Sequence, residues 1–179
     1  MSRSKFSLVA LALAVGLVGC TDQPLTSPDA LSVSPNFDAN PVTDRVSAGS
    51  NDACAAFGLP NGCDKNFSLH ANMKEDGSVM GQYQDGFPGG GEGLHATIDC
   101  LNVVGNGAVL GGVITNGTQG GVDLTGQRIL TAVVDNGTSA NDPADQISFS
   151  FFPVGQSCLA LTPANFPLLN LTTGQVTVK

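Results

Sequence analysis

The stretch FSLHANMKEDGSVMGQYQ, residues 67–84, decides the fold class. Its first half alternates apolar and polar side chains, the apolar ones being Phe67, Leu69, Ala71 and Met73. Because successive side chains of a strand point to opposite faces, this alternation predicts a half-buried β-strand. Asp76-Gly77 follows as a hairpin turn, and residues 78–84 return as the next strand. The stretch therefore predicts an antiparallel sheet.

Outward from this hairpin, short apolar runs recur between Gly, Asn and Asp residues, without a helical periodicity. In the run 94–104 we place Leu94, Ala96, Ile98 and Cys100 on one face. Further strands are predicted at 108–115, 122–124, 128–135 and 147–152, and a terminal hairpin at 168–171 and 175–179. The sequence thus predicts an all-β domain of about eight strands, a single antiparallel barrel, with a sandwich as the alternative.

Two glycines inside a predicted strand help to decide between a barrel and a sandwich. Gly111-Gly112 interrupts the run 108–115, and a glycine within a strand usually marks a bulge or a sharp bend. Tight curvature of this kind favours the barrel.

Composition excludes one large class of partner. Only 12% of the residues are charged, the formal net charge is -8 and the isoelectric point is about 4.3. Proteins that bind nucleic acid need a basic surface to displace phosphate counterions. We therefore expect no nucleic-acid partner.

The N-terminus carries the pattern of an export signal. Arg3 and Lys5 precede the apolar run 6–18, which is too short to span a bilayer but has the length of a signal-peptide core. The run ends in Leu17-Val18-Gly19-Cys20, which resembles the lipobox of bacterial lipoproteins. That resemblance implies cleavage before Cys20 and lipidation of Cys20, so that acyl chains such as palmitate anchor the protein. The alternative is an ordinary signal peptide with Cys20 in a disulfide bond.

The lipoprotein resemblance also implies a location. In a cell with two membranes, Asp directly after the lipidated Cys is the signal for retention in the inner membrane, whereas this chain has Thr21 there and Asp22 one residue later. We therefore expect a lipid-anchored envelope protein, in the outer membrane where two exist. Loss of Arg3 and Lys5 with the signal peptide would leave five basic and fifteen acidic residues.

Three regions follow from these patterns: a lipoprotein signal peptide at 1–19, the lipidated Cys20 with a flexible tether at 20–51, and a β-domain at 52–179. The tether assignment rests on Pro, Ser, Thr, Asp and Asn, which dominate this stretch and lack a strand or helix period. The alternative is that part of it, around 31–33, adds an edge strand.

The cysteine count fits a lipidated, disulfide-bonded chain. Lipidation of Cys20 would leave four of the five cysteines, Cys54, Cys63, Cys100 and Cys158, and an exported protein meets an oxidising compartment. Three pairings are open. We favour Cys54 with Cys63, across a short loop, and Cys100 with Cys158, between distant strands.

A second resemblance covers about half of the chain. The domain is similar to a type of exported bacterial β-domain, and the similarity implies a single β-domain without a particular activity. The matching residues are 76–79, 81–85, 100–106, 111–114, 134–137 and 142–146.

One loop concentrates oxygen ligands. Residues 135–145 contain three carboxylates, Asp135, Asp142 and Asp145, and Ca²⁺ prefers such groups. The spacing is not that of an EF-hand. The favoured interpretation is a turn whose Asx side chains bond their own backbone, and the alternative is a calcium site built on these three residues.

Catalytic and phosphate-binding patterns are weak. The glycine-rich loop 86–93 precedes a strand and carries Glu92, whereas phosphate loops open a helix. We predict instead that this loop is a linker, or a lid over a barrel mouth. His70 and His95 lie on strand faces without a carboxylate in reach on the same strand. We therefore expect no enzyme and assign no catalytic residue or cofactor.

Together the patterns predict a lipid-anchored, non-enzymatic envelope protein whose β-domain has a structural or binding role. The membrane is its first expected partner, through the anchor, and an envelope protein is another. The second expectation is a carrier of a small apolar ligand in a barrel cavity, and the third is a calcium-dependent binding module.

Overall fold

The structure, a computed structural model of the chain, describes residues 40–50, 66–87, 91–139, 141–153 and 155–179. These residues form ten antiparallel strands in one curled, half-barrel sheet and no α-helix. The strands are β1 Val42–Ser50, β2 Phe67–Lys74, β3 Val79–Gly86, β4 Gly93–Val104, β5 Gly107–Gln119, β6 Val122–Asp123, β7 Arg128–Val134, β8 Gln146–Ser148, β9 Leu168–Asn170 and β10 Gln175–Val178. The all-β prediction is confirmed, with ten strands rather than about eight.

The strand order is β10-β1-β2-β3-β4-β5-β7-β8-β9, with β6 paired to β5. The last two strands therefore lie at opposite edges of the sheet although only residues 171–174 join them. The predicted terminal hairpin is wrong, because β10 pairs with β1 in the register Val46↔Val178 to Gly49↔Gln175. That pairing places Val176, which is fully buried, in the core.

The domain begins earlier than predicted. Residues 42–50, assigned to the tether, form β1 between β10 and β2, so the boundary at 51/52 is wrong. β1 does alternate, but the inward residues after Val46 are Ala48 and Ser50, which are too small or too polar to give a strong pattern. The predictions for the signal peptide, Cys20, Cys54 and Cys63 lie outside the described residues.

One main core fills the enclosed side of the sheet. The largest side chains in it are Leu94, Ile98, Leu101, Leu110, Ile114 and Ile129, each at most 1% exposed. They come from β4, β5 and β7, and β1, β2 and β10 add Val46, Leu69 and Val176. Burial of this kind stabilises the domain by about 25 cal/mol for each Å² of apolar surface removed from water.

A bulge in β4 places residues on opposite faces of the sheet that the sequence pattern had assigned to one face. The β4–β5 register shifts between Ile98 and Cys100, opposite Gly111 and Gly112, so that Asp99 is the extra residue. An extra residue reverses the facing of everything after it, because the side-chain period of a strand is two. Cys100 therefore lies on the face opposite Ile98, which corrects the predicted grouping, and Leu101 takes the inward position. The predicted irregularity at Gly111-Gly112 is confirmed.

The outer face of β5 and β7 carries a smaller second core. Val109, Leu130, Ala132 and Cys158 are buried there. Phe151, Leu161 and Phe166 pack against them from the outer segment, defined as residues 149–153 and 155–167. The segment includes two short 3-10 helices, Cys158–Ala160 and Pro163–Asn165, and its Ser150 and Phe152 contact the enclosed side of the sheet instead. The predicted strand 147–152 is correspondingly shorter: Ser148 Oγ accepts the hydrogen bond of Ala132 N, and pairing resumes only at Leu130 and Phe151.

Candidate functional site

The carboxylates of the 135–145 loop bind backbone amides on two sides. Asp145, which is 7% exposed, accepts hydrogen bonds from Asn136 N at 2.8 Å and Val176 N at 2.6 Å. Asp135 accepts from Gly137 N and Val178 N, both at 3.0 Å. Each carboxylate thus holds its own loop with one oxygen and β10 with the other.

These bonds lie on the side of β10 that faces away from β1. Lys179 and Arg45 exchange two backbone hydrogen bonds, so the alternate residues Val178 and Val176 direct their N–H groups to the other side of the strand. No strand pairs there within the described part of the chain, and the two carboxylates accept those hydrogen bonds instead. We call this contact, made by Asp135 and Asp145 with β10, the carboxylate seam.

Asp142 stays apart from the seam. Its Oδ2 accepts from Ser139 N at 2.8 Å, and its own N–H donates to Ser139 O at 3.0 Å, which closes a local turn. Among the described residues, no group of three or more His, Cys, Asp or Glu side chains is arranged to hold a metal ion. The hydrogen bonds thus favour the Asx-turn interpretation over the calcium site on Asp135, Asp142 and Asp145.

A polar cleft of about 380 Å³ lies beside the carboxylate seam. Its lining comes from two connections, residues 137–139 and 142–145 on one side and residues 171–175 on the other. Hydroxyl groups, amide groups and the two carboxylates Asp142 and Asp145 line it, so it suits a polar rather than an apolar molecule.

Glu92, from the glycine-rich loop, also binds backbone amides. Its two oxygens accept from Gly120 N at 3.0 Å and Gly121 N at 2.9 Å, in the turn between β5 and β6. These hydrogen bonds, that of Gly120 first, lower the pKa of Glu92 below its ordinary value. The loop is therefore held at this end, and residues 88–90, where a lid would lie, are outside the described residues.

Both histidines are exposed on the outer face of the sheet. His70 lies opposite Gln82, and His95 lies opposite Gln84. Neither imidazole forms a hydrogen bond with a carboxylate or a hydroxyl among the residues that the structure describes. A histidine that acts as general acid or base is normally paired with such a group, and the described residues place none beside His70 or His95.

The sequence did not reveal a polar cluster inside the curl of the sheet. Tyr83, the single tyrosine of the chain, is 2% exposed, and its hydroxyl donates to Asp85 Oδ2 at 2.9 Å. Ser150 Oγ lies 3.1 Å from the Tyr83 hydroxyl and 3.3 Å from the same Asp85 oxygen. Tyr83 and Asp85 stand two residues apart on β3, a signal that they share a face, but no local pattern indicates Ser150.

The predicted Cys100–Cys158 disulfide is present and connects β4 to the outer segment. Besides the Ser150 contacts, Leu130 and Phe151 exchange backbone hydrogen bonds of 2.8 and 2.9 Å, and Asn102 Nδ2 donates to Leu161 O at 2.7 Å. Between the segment and β7 lies an apolar pocket of about 290 Å³. Sequence reasoning missed this pocket, because its walls come from three separate parts of the chain.

The described part of the chain has no helix with the length and apolarity needed to cross a membrane. The comparisons with known proteins are negative: no protein-family model, no curated protein and no solved structure matches this chain.

Proposed function

We propose that the protein is a lipid-anchored component of the bacterial cell envelope whose β-domain is a non-enzymatic binding or structural module. Cys20 carries the lipid, and the membrane is the first partner. In a cell with two membranes, the protein lies in the outer one, because Thr21 stands where Asp would be the signal for inner-membrane retention. The N-terminal part of this proposal rests on the basic residues, the apolar run and the lipobox-like Leu17-Val18-Gly19-Cys20.

The observation that carries the non-enzymatic part is the use of the carboxylates. Asp135 and Asp145 bind backbone amides of β10, Glu92 binds those of Gly120 and Gly121, and Asp99 binds Arg128 with two hydrogen bonds of 2.6 and 2.8 Å. General acid–base chemistry needs such a group beside a reacting partner in a cleft. Here these groups support the fold.

The second candidate, a carrier with its ligand inside the barrel, has less support. The enclosed side of the sheet is occupied by large buried side chains, among them Leu94, Ile98 and Leu110. A cavity that held an apolar ligand would need space among them. The calcium-dependent module has the least support, since the loop carboxylates already bind backbone amides.

Labelling with an alkyne fatty acid in the native host tests the anchor. The wild-type protein should incorporate label, and the Cys20→Ala variant should not. Thr21→Ala, one residue away, is the matched control and should still incorporate label. Label that persists in Cys20→Ala contradicts the proposal.

Location can be tested with the neighbouring residue. In a host with two membranes, Thr21→Asp places the retention signal directly after Cys20 and should move the protein from the outer to the inner membrane fraction. Unchanged fractionation would refute the outer-membrane assignment. Native mass spectrometry of the protein from its own host then separates module from carrier, because a carrier should arrive with bound cargo.

A further inference from the structure

The apolar pocket on the outer face is built as a binding site. Its floor is Leu130 of β7, which is 2% exposed, and its walls come from the outer segment. The apolar residues that line it are Leu130, Phe151, Phe152, Pro153, Leu161 and Phe166. Ligand pockets in proteins are typically apolar and aromatic in this way, with a few polar groups at defined places.

The walls are held in place without a ligand. Phe151 and Phe166 pack edge to face, with ring centroids 5.5 Å apart and an interplanar angle of 65°. Phe151 is fixed to Leu130 by backbone hydrogen bonds, and the disulfide joins Cys158, eight residues before Phe166, to Cys100 of β4. A preformed wall lowers the conformational entropy lost on binding.

The polar groups at the rim are uncharged. Among the described residues of the lining, Gln156 and Asn165 carry side-chain amides, and none is acidic or basic. Asn165 Oδ1 accepts from Thr162 N at 2.8 Å and from Thr162 Oγ1 at 3.2 Å, so this side chain can offer a ligand its NH₂ group. The Gln156 amide forms no hydrogen bond with the described residues. The rim can therefore donate to and accept from one polar group of a ligand, whereas it offers no partner for a charge.

The volume of the pocket limits the size of the ligand. Pockets for drug-sized molecules span about 300–1,000 Å³, and this pocket, at about 290 Å³, falls at the lower limit. We infer that the pocket binds a small neutral molecule with one apolar ring, aromatic or alicyclic, that carries a hydroxyl or amide group. The ring packs against Phe151, Phe166 and Leu130, and the polar group bonds to Gln156 or Asn165.

This inference rests on the proposed binding role and gives it a site and a ligand class. It places the ligand outside the curl of the sheet, under the outer segment, rather than in a barrel cavity. The two proposals can fail separately. The anchor tests measure the effect of substitutions at Cys20 and Thr21, whereas the ligand test measures binding to the β-domain, which does not depend on whether the protein is lipidated.

The experiment uses ¹⁹F NMR on the exported protein from its host, in a lipid nanodisc, with 4-fluorophenylalanine at its phenylalanines. Benzyl alcohol is the probe, because it is a neutral ring with one hydroxyl and dissolves in water. The resonances of Phe151, Phe152 and Phe166, assigned by single Phe→Leu variants, should shift and saturate with a dissociation constant in the millimolar range, as expected for so few atoms. Benzoate, the matched anion, should bind at least tenfold more weakly.

A variant that fills the pocket completes the test. Leu161→Trp places a larger side chain in the lining and should weaken benzyl alcohol binding at least tenfold. Leu159→Trp is the control, because Leu159 is 67% exposed and does not line the pocket. Should Leu161→Trp fail to fold, the wild-type titration decides alone. Shifts that do not saturate, shifts confined to Phe67 and Phe87 of the main core, or equal binding of benzoate would each overturn the inference.

Discussion

Asp145 Oδ2 and the backbone N–H of Val176 are joined by a hydrogen bond of 2.6 Å between two buried residues. With the matching bond from Asp135 to Val178, it gives β10 the hydrogen bonds that a neighbouring strand would otherwise supply. The carboxylate seam therefore explains how Val176 of the edge strand β10 stays buried.

Asp145→Asn should lower the free energy of unfolding by about 2–3 kcal/mol, because hydrogen bonds to a charged group are worth about 1.5–3 kcal/mol each and the new NH₂ group cannot accept from an N–H. Asp142→Asn, on the exposed turn of the same loop, should change it by less than about 0.5 kcal/mol. Urea unfolding measures both. Equal effects of the two substitutions would mean that the seam does not stabilise β10.

The Glu92 carboxylate should make stability depend on pH in the acid range. Its folded-state pKa is lowered, by the Gly120 and then the Gly121 amide, below the ordinary value of 4.5. The stabilisation from Glu92 is therefore fully present at a pH above the pKa of Glu92 in the unfolded chain. It is lost as the pH falls through the lower pKa of Glu92 in the folded protein. The difference in melting temperature between wild type and Glu92→Gln should shrink as pH falls from 6 to 3.

A local readout checks the same contact. Amide hydrogen exchange at Gly120 and Gly121 should accelerate in Glu92→Gln at pH 6, while that at Thr125, whose amide binds Asp123, should not change. A melting-temperature difference that grew on acidification would contradict the prediction.

The Cys100–Cys158 disulfide closes a loop between residues 58 positions apart. Loop-closure entropy then predicts that the double variant Cys100→Ala/Cys158→Ala loses about 4 kcal/mol of unfolding free energy, within the range of about 2–5 kcal/mol typical for removal of a native disulfide. The same variant should weaken benzyl alcohol binding, because the outer segment loses its covalent attachment. Unaltered stability and unaltered binding would show that the remaining contacts hold the segment.

Peptide mapping without reduction tests the other pairing. Since Cys100 pairs with Cys158, Cys54 and Cys63 remain for each other once Cys20 carries lipid, and a peptide linking them is expected. A peptide linking Cys20 to either of them would contradict both the pairing and the anchor.

Gly112→Ala tests the close approach at the bulge. A Cβ there would collide with Thr97 O and the Thr97 carbonyl carbon, so overpacking should cost about 1–3 kcal/mol. Gly49→Ala, also in a strand, would meet only Phe67 O at 3.6 Å and should be tolerated. Thermal unfolding of the two variants compares them, and similar melting temperatures would contradict the predicted collision.

Local patterns predicted the strands best where side chains alternate strongly and Gly-containing turns bound them, as in β2 to β5 and β7. They failed where the pairing is long-range: nothing near Gln175–Val178 indicates β1 as its partner. They also failed at Asp99, because one extra residue reverses the facing of Cys100 while leaving the apolar pattern intact.

The candidate site shows the same division. The sequence predicted that carboxylates of the 135–145 loop accept hydrogen bonds. It did not indicate the donors in β10, Val176 and Val178, because they lie more than thirty residues away in sequence. The outer pocket was missed for a related reason, since Leu130, Phe151 and Phe166 meet only through the outer segment.

The pairing of β1 with β10 also sets an order of folding. In an exported chain, as proposed here, β1 leaves the translocation channel before the other described strands and β10 after them, so one side of β1 has no strand to pair with until Gln175–Val178 emerges. An unpaired strand edge invites association with other chains. The domain is thus most exposed to aggregation during the interval before β10 emerges, and a chain truncated before Gln175 should aggregate or be degraded.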